Sequence, residues 1–337
     1  MLYHIPIEPY ETRYTADWIE QFENEFTKNK IQFKTILGTP ITDKVREAGN
    51  VLDAVGTNVY KNSQMDQILK LFANNSVKDD DIFFFCDLWF PSLEMLFYIR
   101  NLTNIHFKIA GILHAGTYDT NDFTFRSGMR KWGKHLEDCW LSEVDYIFVA
   151  THYHKNLIQQ HSNELGNIFV TGIPFYSKDL QTRYANDAKD NIVVFPHRLA
   201  PEKHPELFDK LKYIVNTKYK RPDILFVKSM ESTNSRDEYF RLLARSKVMI
   251  SFAEQETFGF STLEALALGC IVLAPDRLSY VETLPKKCRY DMCTSLDDLA
   301  NSIIYSIDHY LYAPTDLEKW ESSVDNMIGI MRREIHV

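Results

Sequence analysis

Residues 247–275 read KVMISFAEQETFGFSTLEALALGCIVLAP, and the order of textures in them decides the fold. KVMISFA is an apolar strand-like run. A polar loop with Glu256 follows, then STLEALAL at helical spacing, then a second apolar run, CIVLAP. Strand, loop, helix and strand in this order make a crossover between parallel strands, which places the loop at the carboxyl edge of a sheet. Gly259 suits a close backbone approach there, and a helix starting near Ser261 offers unpaired N–H groups to an anion. A second reading of the same residues stays open. Ser261 and Glu264 have the spacing of a capping box, and Gly269 that of an ordinary helix stop.

The alternation continues outward in both directions. Upstream, NIVVFP, HPELFDKLKYIVN, DILFVK and RDEYFRLLARS read as strand, helix, strand and helix. Nearer the start, MLYHIPI, IQFKTIL, DIFFFCDLW, FKIAGIL, VDYIFVAT and NIFVTGI read as strands. The helices between them include TADWIEQFENEFTKN, with Trp18, Phe22 and Phe26 on one face. The polar stretch 174–190 interrupts the pattern. The expected class is therefore α/β, with two Rossmann-like domains whose parallel sheets face a cleft. Their expected extents are 1–178 and 179–310, with a last helical segment at 311–337.

Bulk properties narrow the function classes. The chain has 337 residues, enough for two domains, and 45% hydrophobic residues, which excludes disorder. No apolar run approaches the roughly 18 residues of a membrane span, and the N-terminus lacks the pattern of a signal peptide. Five scattered cysteines without a C-x-x-C pair point to reduced thiols, and the expected location is the cytoplasm. A formal net charge of −8 argues against a purely electrostatic nucleic-acid binder but permits a local basic groove. No metal site is expected, and the absence of G-x-G-x-x-G disfavours an oxidoreductase.

A second loop carries cations. In FPHRLAPEKHPELF, 195–208, Arg198 and Lys203 fall between a strand and a helix, where a planar fork and a mobile point charge together suit a diphosphate. Taken with the segment at 251–285, SFAEQETFGFSTLEALALGCIVLAPDRLSYVETLP, this loop resembles the retaining GT4-like group of nucleotide-sugar glycosyltransferases of GT-B fold. The resemblance covers roughly 140–290.

It implies a donor site in which Arg198 and Lys203 neutralise the diphosphate and Glu256 bonds the transferred sugar. Phe258, Gly259 and Phe260 would lend backbone, Ser261 and Thr262 would open the phosphate-facing helix, and Glu264 would hold the ribose. Catalytic roles fall to Arg198, Lys203, Glu256 and His114, the last by analogy with a histidine near the reacting sugar. The implied co-substrate is a UDP-sugar, with no cofactor required, and the last helix is expected to cross back to the first domain. His197 departs from the family, which often has Gly there, and the family's N-terminal glycine-rich loop is replaced by IPIEPYETRYTADW. Glu282 with Ser279 reads as a further capping box.

For the acceptor, Glu8, Glu11, Arg13 and Tyr14 follow the first strand, although Thr15 capping a first helix accounts for that segment equally well. Asp119 and Asp122 could orient an acceptor hydroxyl or simply turn and cap their loop. Arg126, Arg130 and Lys131, interleaved with Phe125 and Trp132, have the texture of a nucleic-acid contact or of a solvated basic face. The run Gly128-x4-Gly133-Lys134 is not a phosphate loop, because His135 stands where Ser or Thr is needed. The chain's opening resembles phage-encoded glycosyltransferases of hydroxymethylated DNA bases. The favoured acceptor is accordingly a 5-hydroxymethylated base in double-stranded phage DNA, which would place the protein in the host cytoplasm. A bacterial surface glycan or lipid is the alternative acceptor. The rival from another class is a non-catalytic sugar-nucleotide or DNA-binding protein.

Overall fold

The computed structural model describes residues 1–10, 13–40, 53–162, 167–185, 188–312 and 315–333; Glu11 lies outside them. By compactness the chain divides into residues 1–174 with 322–337 and residues 175–321.

The first unit runs β1 (Leu2–Ile5), α1 (Trp18–Lys28), β2 (Phe33–Thr35), α2 (Gly56–Ala73), β3 (Ile82–Phe85), α3 (Glu94–Leu102) and β4 (Lys108–Ile112). It continues with α4 (Phe123–Arg126), α5 (Arg130–Glu143), β5 (Tyr146–Val149), α6 (His152–His161) and β6 (Ile168–Val170). The second unit holds α7 (Ser177–Tyr184), β7 (Asp190–Phe195), α8 (Pro205–Thr217), β8 (Leu225–Lys228), α9 (Ser229–Ser232) and α10 (Arg236–Arg245). After these come β9 (Ser246–Ile250), α11 (Phe260–Ala267), β10 (Ile271–Pro275), α12 (Tyr280–Thr283), β11 (Arg289–Tyr290) and α13 (Leu296–Asp308). A final helix, α14 (Ser323–Arg333), groups with the first unit, where Asp325 bonds Lys28 and Asn29 at the end of α1.

Every strand pairing described is parallel. The sheets run β2-β1-β3-β4-β5-β6 and β11-β10-β9-β7-β8. In each, the first strand sends the chain one way to the second and the other way to the third. The winding therefore reverses between β1 and β3 and between β7 and β9, and such reversals are where open α/β sheets bind ligands. Strands buried on both faces read as continuous apolar runs, as Phe83, Phe84 and Phe85 do with no exposure. The second unit has its own core around Val193, Phe195, Leu211, Val248, Ile250 and Ile303.

Three local expectations need correction. Helix α1 starts at Trp18 with no side-chain cap, because buried Thr15 belongs to a separate single 3₁₀ turn before it. The polar stretch 174–190 contains α7, which is held from outside: Ser177 Oγ and the Lys178 N–H both bond Glu321, and Tyr184 packs on Phe240. Ser279 makes no cap to Glu282, since its own backbone is already helical and its hydroxyl is buried without a hydrogen-bond partner among the described residues.

Candidate functional site

The loops after β7 and β9 meet at the reversal point of the second sheet. After β7 the chain passes through His197 and Arg198 and closes a short turn at Pro201–Lys203. The Arg198 guanidinium grips buried Glu202 through Nε at 3.0 Å and Nη2 at 2.5 Å. Burial alone would raise the Glu202 carboxyl, but its own backbone N–H, Arg198 and Lys203 together hold it below the usual carboxylate range. The Glu202 carbonyl in turn accepts the Glu254 N–H at 2.8 Å, which ties the first loop to the second.

Lys203 is buried, and its ammonium donates to the Gln255 carbonyl and to Glu256 Oε2, the latter at 3.3 Å. The other Glu256 oxygen accepts the Gly259 N–H at 3.0 Å. A carboxylate has about four acceptor positions, so Glu256, held by two contacts, can still accept from a ligand hydroxyl.

Gly259 opens α11 with φ at +93°. A Cβ there would lie 2.8 Å from Thr262 Oγ1 and 3.1 Å from Tyr280 Cε1. Gly259→Ala is therefore expected to lower the unfolding free energy by about 1–3 kcal/mol through backbone strain and crowding. Denaturant unfolding of the variant measures this, and a midpoint unchanged from wild type would refute it.

The capping-box reading of α11 fails in the structure. The helix takes no side-chain cap, and Ser261 and Glu264 point to other partners. Ser261 Oγ lies 3.2 Å from His197 Nδ1. Glu264 is buried and accepts the Tyr239 hydroxyl at 2.7 Å, with Arg236 at 3.8 Å. The Thr262 hydroxyl turns back to the Gly259 carbonyl at 2.7 Å, so it serves its own turn. Phe258 is buried edge-on to Phe260 and to Trp320.

Sequence reading missed several supports of this cluster. Glu202, Tyr239 and the Gln255 carbonyl were not singled out, and His197 entered as a departure from a pattern. The Arg198–Glu202 spacing of four was the one available signal. A tyrosine 25 residues before Glu264, or a backbone carbonyl, leaves none.

In the first unit, His114 follows β4. Its Nε2 sits 2.7 Å from the Cys86 carbonyl, which can only accept, so this nitrogen carries the proton and Nδ1 is the acceptor side of the neutral ring. Burial lowers its pKa, with Asp87 working the other way. The Trp18 ring packs 5.4 Å from it and Tyr14 5.2 Å from Trp18. Glu8 is buried in the loop after β1, and Arg13 is half-buried.

Asp122 caps α4 through the Thr124 N–H at 2.8 Å, and Asp119 accepts the Asn121 N–H at 2.9 Å within its turn. Arg126, Arg130 and Lys131 are exposed, with Arg130 stacked on Phe125 at 5.2 Å. Gly133 lies inside α5, which leaves no glycine-rich phosphate loop there. Among the described residues no cluster of metal-ligating side chains gathers, and no helix is long and apolar enough to cross a membrane.

The two parallel sheets with their flanking helices give the chain the GT-B fold of glycosyltransferases. Solved structures similar over nearly the whole chain include a sucrose-phosphate synthase from Thermosynechococcus elongatus, at TM-score 0.67 and 12% identity. That similarity covers 99% of this chain and 98% of that one. A UDP-forming α,α-trehalose-phosphate synthase from Burkholderia vietnamiensis is similar at TM-score 0.59 and 11% identity, over 98% and 94% of the two chains. At such identities the likeness is one of fold. No protein-family profile matches the chain. In sequence, 61 residues are 39% identical to the tRNA-queuosine α-mannosyltransferase of Drosophila melanogaster; the match spans 18% of this chain and 16% of that protein's length.

Proposed function

We propose that this protein is a glycosyltransferase that moves a sugar from a nucleoside-diphosphate sugar to a hydroxyl on a modified base of a nucleic acid. The observation that carries the donor half is the cluster at the β7/β9 reversal, where Glu256 joins Lys203 to the Gly259 N–H, Ser261 meets His197, and Arg198 is linked to the second loop through Glu202, whose carbonyl accepts the Glu254 N–H. Fixed cations beside a helix N-terminus suit the charge that develops as a diphosphate leaves.

In this reading the bond from the anomeric carbon to the diphosphate oxygen breaks, and the electron pair leaves with the phosphate. Arg198 and Lys203 stabilise that charge, Glu256 takes a hydroxyl of the sugar, and Glu264, held by Tyr239, takes the ribose. The acceptor oxygen attacks the same carbon and its proton passes to the departing phosphate, which gives retention by attack on the face the leaving group vacates. Glu256 is a poor covalent nucleophile, being already bonded to Lys203 and the Gly259 N–H. A UDP-sugar is the first donor to test.

For the acceptor, the exposed cations and aromatics of α4 and α5 suit a nucleic acid, and the first reading is DNA carrying 5-hydroxymethylated bases. A modified tRNA nucleoside is the second reading, favoured by the similarity to an enzyme whose name gives that acceptor. The test offers UDP- and GDP-linked radiolabelled sugars with hydroxymethylated DNA, unmodified DNA and total tRNA. Label in a nucleic acid that carries the acceptor hydroxyl, and none in unmodified DNA, is the expected result. Donor hydrolysis without label in any nucleic acid would overturn the acceptor half, and no donor consumption at all would overturn the enzyme.

A further inference from the structure

His197 stands out in the donor cluster because its two ring nitrogens are treated differently. The side chain is 4% exposed and follows β7 directly before Arg198. The ring packs edge-on to Phe195 at 5.2 Å, which fixes its plane. Nδ1 lies 3.2 Å from the Ser261 hydroxyl in the first turn of α11, a helix of eight residues. Nε2 is buried and has no hydrogen-bond partner among the described residues.

A buried polar atom without a partner is costly, and native structures keep few of them without a reason. The ring also stays neutral here: burial first, then Lys203 and Arg198, push its pKa well below the ordinary histidine value. A neutral imidazole whose Nδ1 accepts the Ser261 hydroxyl carries its proton on Nε2. It can then offer an N–H to an oxygen beside Arg198 without adding charge or competing with the two cations.

Resting on the reading of this cluster as a nucleotide-sugar site, we propose that His197 is a donor-positioning residue whose Nε2–H bonds a phosphoryl oxygen of the bound nucleotide sugar while Ser261 holds the ring through Nδ1. The helix N-terminus, Arg198 and this N–H would then approach the diphosphate from separate elements, α11 and the β7 loop. Such an arrangement holds the bound diphosphate in one orientation before it leaves.

Side-chain amides can separate the two nitrogens. The amide of Asn stands near the place of Nδ1, and the longer Gln puts its amide near Nε2. Affinity for UDP and GDP, and kcat and KM for the donor found in the transfer assay, would be measured for His197→Ala, His197→Asn and His197→Gln, with denaturant midpoints recorded for each. The expected result is a loss of affinity of about tenfold or more in the Ala and Asn variants and recovery to within about threefold of wild type in the Gln variant. The loss should appear in donor KM more than in kcat. Recovery by Asn and not by Gln would show that the Ser261 contact is the residue's role and would overturn the proposal. Wild-type affinity in the Ala variant would overturn it as well. If the Ala variant does not fold, the Asn–Gln contrast decides alone. Wild-type protein that binds neither nucleotide would defeat the reading of the site itself, and this inference with it.

Discussion

Glu256→Ala is expected to bring sugar transfer below about a hundredth of the wild-type rate, the scale of losing one electrostatic group at a reacting centre. The residue has two anchors, the Gly259 N–H at 3.0 Å and the longer ion pair to Lys203 Nζ at 3.3 Å, and these orient the carboxylate toward a sugar hydroxyl. Removing it loses the acceptor, frees the turn into α11 and leaves the Lys203 ammonium with the Gln255 carbonyl alone among its described partners. The structural cost of that last change is up to about 3–5 kcal/mol, the scale of removing one partner from a buried ion pair, which a domain in the upper part of the usual 5–15 kcal/mol range survives. Initial rates of transfer together with a denaturant midpoint separate the two effects. A folded variant that retains more than a tenth of wild-type turnover would remove Glu256 from the chemistry.

Arg198→Ala is expected to weaken nucleoside-diphosphate binding by roughly 10–100-fold, corresponding to the loss of one charge-assisted hydrogen bond or a bidentate pair. A second contribution acts in the same direction. Glu202 is buried, and its carboxyl is held down in part by Arg198, so the variant leaves a less compensated negative charge beside the incoming anion. Adding Glu202→Gln to Arg198→Ala should therefore recover part of the lost affinity, a non-additivity that two independent sites would not show. Titration calorimetry of the single and double variants measures it. Strict additivity would place Glu202 outside the electrostatics of the site.

The legibility of the fold in the sequence follows from the size of its signals. The runs around Phe83–Phe85 and Val193–Phe195 are buried on both faces, so they read as strands without any knowledge of their neighbours. Trp18, Phe22 and Phe26 are buried along one face of α1 at the spacing that suggested the helix. Two-residue β11 and four-residue α4 and α9 are too short for any period to register and went unread, while α12 was signalled only by the Ser279–Glu282 spacing, whose cap does not form. Helix α7 was hidden because contacts from far along the chain hold it, Glu321 among them.

The candidate site divides in the same way. Arg198, Lys203, Glu256 and Gly259 were visible because the loops after β7 and β9 each fall between a strand and a helix. Their partners were not. Capping-box spacing at Ser261 and Glu264 suggested a local pair, yet Ser261 faces His197, 64 positions earlier, and Glu264 faces Tyr239. Local spacing cannot reveal that choice, since it is made by which strands lie side by side in the sheet.

The central claim is that the β7/β9 cluster holds a nucleoside diphosphate. Calorimetric titration of the whole protein with UDP and GDP tests it most directly, with Arg198→Ala titrated in parallel. The account predicts saturable one-to-one binding of at least one of the two, weakened roughly 10–100-fold in the variant. Binding of neither, or binding that Arg198→Ala leaves unchanged, would contradict it.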